Sequence, residues 1–271
     1  MRRQSMIYYI LTNKGGREIN EDYAGTAGPN EDKSFCAILA DGLGGHGRGE
    51  VASESVVKNS LSLWKEFSGD TEVFLKQCFE DSQEKLLKKQ EEENAEGEMK
   101  TTMTALVSNG STLQWGHIGD SRLYCFRGNK LVTRTLDHSV PQMLVASGEI
   151  KEKDIRGHED RNRLLRVMGA PWDKPRYELA EAMDCESSLS FLLCSDGFWE
   201  LIEEKDMISC LKQSSSPKEW LEKMEVIVQK NGVGKNMDNY TAVGIFMGEE
   251  RKGEESSGSF LKSLFQFGKK G

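Results

Sequence analysis

The sequence has 271 residues, enough to bury one large core or two small ones. Its hydrophobic fraction of 37% and charged fraction of 30% are those of a soluble globular protein. The formal net charge of −8 argues against broad electrostatic binding to nucleic acid, whereas a local acidic cluster would attract cations.

The cysteines and the apolar segments favour a cytoplasmic protein. Six cysteines are scattered along the chain without a CxxC pair, as expected of reduced thiols in a reducing compartment. The apolar run at 6–11 is too short for the core of a signal peptide and instead predicts an opening strand. Because no apolar segment approaches membrane-spanning length, we expect no transmembrane segment.

A charged turn at 14–22 follows the opening strand. Within it, Arg17 could hold a phosphate or a carboxylate through its planar guanidinium, or the turn could simply be solvated. Asp22 directly precedes Tyr23 and Ala24, so we expect its carboxylate beside the start of a strand.

The stretch 35–47 carries the clearest pattern. Six apolar residues predict a buried strand, and Asp41 is the first residue after it. The glycines that follow, beginning with Gly42, allow a sharp turn in which the backbone approaches a ligand. From Glu50 the pattern is helical, so the unit is a strand, a carboxylate, a glycine turn and a helix.

The glycines at 42–47 also fit the fingerprint of dinucleotide-binding enzymes, which gives a nicotinamide enzyme as an alternative. That fingerprint needs a second strand ending in an acid, whereas residues 70–98 predict another helix. Asp41 would also repel a pyrophosphate and suits a cation better. A phosphate loop is less favoured still, because no Gly-Lys-Ser/Thr follows.

The remaining pattern predicts helices at 49–66, 70–93, 203–212 and 217–230, and strands at 101–107, 113–118, 123–126, 190–194 and 240–247. His117 lies inside one of these strands, which favours packing or hydrogen bonding over metal ligation. The short, mixed pattern between 137 and 170 predicts a small helical insert. Its arginines either meet an anionic substrate or are solvated: Arg156, Arg161, Arg163 and Arg166.

After Gly248 the composition changes to Glu, Lys, Gly and Ser, which is typical of a linker. Near the end, apolar residues recur at helix-compatible spacing beside lysines. This segment is either a weak docking element for a partner or a membrane surface, or a disordered tail.

Aspartates at strand edges are the most telling chemical feature, because packed carboxylates repel one another unless cations neutralise them. Oxygen ligands without a His or Cys set select Mg²⁺ or Mn²⁺, and four histidines without paired spacing disfavour zinc. Two such ions can share a hydroxide for in-line attack on phosphorus, with an arginine clamping the phosphate. The aspartates are Asp22, Asp41, Asp120, Asp196 and Asp238, and the arginine is Arg17.

Eight short motifs occur in the order in which one known family carries them. Each alone is weak, but the ordered set, spanning about 7–246, resembles the bacterial type of the metal-dependent type 2C (PPM) protein Ser/Thr phosphatases. The motifs are Arg17-x-x-Asn20-Glu21-Asp22, Ala40-Asp41-Gly42-Leu43-Gly44-Gly45-His46, Thr101-Thr102-Met103-Thr104-Ala105, Gly119-Asp120-Ser121-Arg122, Asp137-His138-Ser139, Leu165-Arg166-Val167-Met168-Gly169, Ser195-Asp196-Gly197-Phe198-Trp199 and Asp238-Asn239-Tyr240-Thr241.

The resemblance implies an α+β fold, with a central β-sandwich of two antiparallel sheets flanked by helix pairs in four layers, α-β-β-α. It implies a phosphatase domain at 1–248, which includes a flap at about 139–170 that bears on substrate choice. Residues 249–271 lie outside the family pattern and are expected to form a flexible tail.

The resemblance also implies the metal ligands. Asp41 resembles the carboxylate that bridges two cations, and Gly42 offers its carbonyl to one of them. Asp196 and Asp238 resemble ligands of the other cation. Asp120 resembles the ligand of a third, more weakly bound cation.

Two further roles follow from the same resemblance. Asp22 is similar to the residue that holds metal-bound water, with Glu21 beside it, and Arg17 matches the phosphate-binding arginine. The chain departs from the family where some relatives carry a His as general acid, since Leu43 stands there. It also has Lys100 where a Gly often precedes Thr-Thr.

The implied activity is that of a cytoplasmic, Mn²⁺- or Mg²⁺-dependent protein-serine/threonine phosphatase that reverses kinase signalling. It would hydrolyse phosphoserine and phosphothreonine monoesters by attack of a hydroxide held by two metals. The expected partners are phosphorylated proteins, with a cognate Ser/Thr kinase and its substrates, and we expect a monomer. A catalytically silent regulator on the same fold is the alternative, and it is disfavoured because none of Asp41, Asp196 or Asp238 is missing.

Overall fold

The computed structural model describes residues 4–30, 34–67 and 69–249. The part of the predicted tail beyond residue 249 therefore lies outside the described residues. The strands are β1 Gln4–Asn13, β2 Asp22–Ala27, β3 Ser34–Asp41, β4 Met103–Asn109, β5 Thr112–Ile118, β6 Arg122–Arg127, β7 Lys130–Arg134, β8 Glu178–Leu179, β9 Met183–Asp184, β10 Leu189–Cys194 and β11 Tyr240–Glu249. The α-helices are α1 Gly49–Trp64, α2 Thr71–Glu92, α3 Val140–Ser147, α4 Asp196–Trp199, α5 Glu204–Lys212 and α6 Pro217–Gly232.

These strands form two antiparallel sheets. The first sheet has the order β1-β11-β10-β6-β7, and the second has the order β2-β3-β4-β5-β8, with β9 also paired to β5. Helices α1 and α2 pack on the second sheet, whereas α6 packs on the first and α5 packs on α6. The predicted α+β sandwich flanked by helix pairs is therefore confirmed.

Strand β3 shows why a continuous apolar run belongs in such a fold. Its first seven residues are all buried. Successive side chains of a strand point to opposite faces, so Phe35 and Leu39 enter the core between the two sheets. Ile38 and Ala40 enter the core between the second sheet and helices α1 and α2. The strand is thus buried on both faces.

The first sheet has a separate core with its own helices. Phe126 and Leu192 from the sheet pack there with Trp220 and Leu221 from α6. The indole N–H of Trp220 donates to the carbonyl oxygen of Met207 in α5 at 3.0 Å, which joins the two helices of this layer.

Several observed elements differ from the predicted ones. Strand β7 and the two-residue strands β8 and β9 were not predicted, because they are short and form through pairing with β6 and β5. The dinucleotide interpretation is wrong, because α1 leads to α2 and β3 pairs antiparallel with both of its neighbours. None of the described helices combines the length and apolar character needed to cross a membrane.

Candidate metal centre

Four of the predicted aspartates meet where strands of the two sheets begin or end. Asp22, the first residue of β2, lies directly opposite Asp41, the last residue of β3. Asp196 follows β10 after Ser195, and Asp238 precedes β11 by two residues. The second sheet supplies the first pair and the first sheet supplies the second pair, so both sheets are needed to build this site.

Asp22 is the most tightly enclosed member of the pair from β2 and β3, with 5% of its surface exposed. Its Oδ2 accepts a hydrogen bond of 2.7 Å from Ser195 Oγ, which itself accepts from the backbone N–H of Thr241. Its Oδ1 is buried, and no described residue donates to it. Burial, reinforced by the charges of Asp196 and Asp238, raises the pKa of Asp22 to about 7.

Asp41 and Asp196 lie close enough for their carboxyl groups to affect each other's ionisation. Burial raises the pKa of Asp41 well above its ordinary value, and the charges of Asp22 and Asp196 raise it further. Burial, and then the charge of Asp238, raises the pKa of Asp196 to about 6. Two carboxylates this close need either a shared proton or a cation between them.

The backbone around Asp41 is fixed by the neighbouring strand. The carbonyl oxygen of Asp41 accepts from the backbone N–H of Thr102 at 2.9 Å and from Thr101 Oγ1 at 2.7 Å. Gly42 donates its N–H to the carbonyl oxygen of Glu21. A Cβ on Gly42 would lie 2.3 Å from the carbonyl oxygen of Gly49, so the close approach of these two backbones requires glycine here.

Asp120 follows β5 and approaches the same cluster. It is 5% exposed, and its carbonyl oxygen accepts from the indole N–H of Trp199 at 3.0 Å. Burial, followed by the charge of Asp196, raises the pKa of Asp120 well above its ordinary value. Its carboxylate therefore belongs electrostatically to the cluster, although it comes from a different loop.

Arg17 lies at the rim of the cluster. Its Nη2 donates to Asp238 Oδ2 at 2.8 Å, and both side chains are close to half exposed. Asn239 holds this charged turn in place, since its Oδ1 accepts from the backbone N–H of Glu21 and its Nδ2 donates to the carbonyl oxygens of Lys14 and Ile19. The guanidinium is consequently positioned beside the carboxylates and open to an anionic ligand.

The residues present fit hard divalent cations. The donors are carboxylate and carbonyl oxygens, which Mg²⁺ and Mn²⁺ prefer. The unpartnered Oδ1 of Asp22 and the proximity of Asp41 and Asp196 both call for positive charge inside the cluster. A cation would lower every raised pKa described above, because it stabilises the ionised form of each carboxyl.

A second group of candidate ligands lies outside this cluster, formed by His117, His138 and Glu178. The two imidazole rings are stacked, with centroids 4.5 Å apart and planes inclined by 18°. Ring nitrogens ligate within the ring plane, so nearly parallel rings cannot direct their lone pairs to one point. His117 Nε2 also bonds the carbonyl oxygen of Leu136, which confirms the predicted hydrogen-bonding role of His117.

Arginines of the segment 139–170 pair with residues around it. Arg156 donates to the carbonyl oxygens of Trp199 and Ile202, and Arg161 pairs with Glu200. A further pair joins Arg166 Nη1 to Glu178 at 2.8 Å, whereas the side chain of Arg163 is 70% exposed. Arg163 is thus the most exposed of the four and lies 4.0 Å from Asp160 Oδ1, whereas the other three have closer partners.

Sequence reasoning assigned no role to three residues that border the aspartates. Ser195 and Asn239 stand beside Asp196 and Asp238 in the quoted motifs, and that adjacency was the available signal. Asp196 begins helix α4, and Glu200 follows it by four residues. This spacing places both side chains on one face of the helix. Burial, and then the charge of Asp196, raises the pKa of Glu200 to about 7.

Comparisons with known proteins agree on one family. A family model described as Protein phosphatase 2C matches residues 15–239. The serine/threonine phosphatase stp of Listeria innocua is 31% identical over 247 residues, which cover 89% of this chain and 95% of that protein. The structure of the Mycobacterium tuberculosis serine/threonine phosphatase PstP/Ppp matches with a TM-score of 0.78 at 29% identity, over 90% of this chain and 99% of that one. A PstP catalytic domain in complex with 2 manganese ions matches with a TM-score of 0.77 at 28% identity, over 91% of this chain and 100% of that one.

Proposed function

The chain belongs to the protein phosphatase 2C family, and on that premise we propose that it hydrolyses phosphoserine and phosphothreonine monoesters in proteins with divalent cations held by its aspartates. Protein-serine/threonine phosphatase activity follows from the family and from relatives named serine/threonine phosphatase that match most of the chain. The finer assignment of cations to residues follows from the family resemblance, and the meeting of these carboxyls in one cluster supports it.

Each residue of the cluster has a distinct proposed task. Asp41, the carbonyl of Gly42, Asp196 and Asp238 hold two Mn²⁺ or Mg²⁺ ions, and Asp120 holds a third more weakly. When bound, these cations neutralise phosphoryl oxygens and lower the pKa of water for in-line attack on phosphorus.

The remaining steps belong to residues at the edge of the cation cage. Arg17 exchanges its contact with Asp238 for two oxygens of the substrate phosphoryl group, which matches the fork of its guanidinium. The unpartnered Oδ1 of Asp22 accepts a hydrogen bond from the attacking water and orients it. Leu43 brings no proton to the leaving alkoxide, so that proton comes from water.

The observation that carries this proposal is the meeting of buried carboxyls, with Asp22 directly opposite Asp41 and the charge of Asp196 acting on both, because cations neutralise such a cluster. The test is hydrolysis of p-nitrophenyl phosphate and of a phosphothreonine peptide with added Mn²⁺. We expect turnover that EDTA abolishes, and a loss of at least about 100-fold in kcat/KM for Asp41→Asn. Turnover that EDTA leaves unchanged would overturn the metal-dependent mechanism.

The cellular setting is proposed from smaller observations. Cys36, Cys78, Cys125, Cys194 and Cys210 are buried thiols, which suits a reducing cytoplasm. We propose phosphorylated proteins as substrates, with a Ser/Thr kinase acting in opposition. A single phosphatase domain at 1–248 remains our prediction for the organisation of the chain.

A further inference from the structure

The loop that carries Asp120 is held on its N-terminal side by one histidine. Gly119 donates its N–H to Nδ1 of His138 at 3.2 Å, and the carbonyl oxygen of Gly119 accepts from the backbone N–H of His138 at 2.9 Å. His138 is 6% exposed, so water is a poor substitute for either bond. These two bonds attach the residue before Asp120 to a single partner.

The conformation of Gly119 requires glycine at this position. Its φ is +102°, and a Cβ at this position would lie 2.5 Å from Cγ2 of Thr102. On the other side of Asp120, Ser121 Oγ bonds Thr102 Oγ1 at 2.7 Å. The residues on both sides of Asp120 are therefore held by hydrogen bonds, which restrict the loop that carries its carboxylate.

His138 also belongs to the base of the flap. Its carbonyl oxygen accepts from the backbone N–H of Leu165 at 2.8 Å, which joins the two ends of the insert. Its Nε2 lies 3.2 Å from Glu178 Oε1, in the strand that follows the insert. His138 thus connects the Asp120 loop to the segments that enter and leave the flap.

The hydrogen bonds also define where the proton of this imidazole lies. Nδ1 accepts from Gly119, so the proton of the neutral ring is on Nε2 and is donated to Glu178. Arg166 Nη1 lies 3.4 Å from Nε2 of His138 but does not donate a hydrogen bond to it, because both nitrogens carry hydrogen. The ring is fixed in one tautomer and one orientation.

We propose that His138 is a positioning residue for Asp120, holding the loop of this ligand in the geometry that binds the weakest of the cations. The proposal rests on the proposed function and adds to it a physical link between the flap base and the acidic cluster. Residues that orient a ligand from behind commonly change metal affinity by about 10- to 100-fold when replaced.

Two substitutions at His138 place a polar amide group at different positions. In His138→Asn the side-chain oxygen takes the position of Nδ1 and can accept from Gly119. In His138→Gln the amide reaches the position of Nε2 instead, so the Gly119 N–H has no acceptor. Both side chains are polar and smaller than or similar to imidazole, which makes them a matched pair.

The experiment titrates EDTA-stripped parent, both His138 variants and Asp120→Asn with Mn²⁺ by isothermal titration calorimetry. We expect a weaker binding phase in the parent that Asp120→Asn lacks. His138→Gln should weaken that phase about tenfold or more, while His138→Asn stays within about threefold of the parent. The tighter phase should change less than about twofold in both.

Two results would overturn the proposal: an unchanged weaker phase in His138→Gln, or equal losses in the Gln and Asn variants. Hydrogen exchange of the parent provides a test without substitution, since filling the weaker phase with Mn²⁺ should slow exchange of the Gly119 amide about tenfold, and unchanged exchange contradicts the link. A parent that binds Mn²⁺ in two phases but hydrolyses no phosphothreonine would contradict the proposed function alone.

Discussion

Replacing Asp22 with Asn should stabilise the metal-free protein while lowering its phosphatase activity. Asp22 is 5% exposed and lies among other carboxyls, and its pKa is raised to about 7 from 3.8. At neutral pH its ionised form therefore opposes folding when cations are absent. Asn removes the charge, and its side-chain oxygen can still accept from Ser195 Oγ.

The magnitude follows from the same shift in pKa. Because the folded-state pKa is above the unfolded one, stability is intact below about pH 4 and is lost as pH rises towards 7. The loss is about 1.4 kcal/mol for each of roughly three pH units, or about 4 kcal/mol in total. We expect stripped Asp22→Asn to exceed the parent by about 2–4 kcal/mol at pH 7.5, since other carboxyls share the protons.

Urea unfolding in EDTA at pH 7.5 and pH 4.0 measures this difference. Its size should shrink to below about 0.5 kcal/mol at pH 4.0, where Asp22 is protonated in the parent. Asp173→Asn, at an exposed aspartate, is the control and should change stability by less than about 0.5 kcal/mol at either pH. A stripped Asp22→Asn protein less stable than the parent at pH 7.5, or an advantage that grows on acidification, refutes the reasoning.

Three further substitutions have separate expected outcomes. Arg17→Ala should raise KM for a phosphothreonine peptide about tenfold or more, with Arg17→Lys recovering only part, and steady-state kinetics checks this. Arg122→Met should lower the unfolding free energy by about 3–5 kcal/mol, because Asp137 Oδ2, 2.6 Å from this buried guanidinium, loses its partner. Adding Asp137→Asn should restore part of that loss in urea unfolding, and no recovery would contradict the ion-pair explanation. Gly119→Ala should lower stability by about 1–3 kcal/mol through strain at positive φ and contact with Thr102, as thermal unfolding would show.

The long elements could be predicted from the sequence because local pattern and tertiary packing agree in them. Strand β3 and helix α1 are examples, since the continuous apolar run of the strand matches its burial on both faces and the periodicity of the helix matches its one buried face. Strands β8 and β9 could not be predicted in this way. They are two residues each, and only their pairing with β5 makes them strands.

The candidate site was also only partly predictable from the sequence. The aspartates were visible because each stands where an apolar run begins or ends. Their convergence was not readable from spacing, since Asp22 and Asp238 come from different sheets and are brought together by the packing of the sandwich. His138 contacts Gly119, which is 19 residues away in sequence, so no local pattern reveals that contact. Glu200 lies one helical turn after Asp196, and only the burial of both side chains in the fold shows that they interact.

The position of β11 has a consequence for synthesis of the chain on the ribosome. This strand lies between β1 and β10, and it pairs with β1 along ten residues. During synthesis, β1 therefore has no paired strand in its sheet until β11 has been translated, about 230 residues later in the sequence. Asp238 emerges just before β11, so a nascent chain lacks both its inner strand and one of its carboxylates. Truncated translation products should consequently carry no partial enzymatic activity.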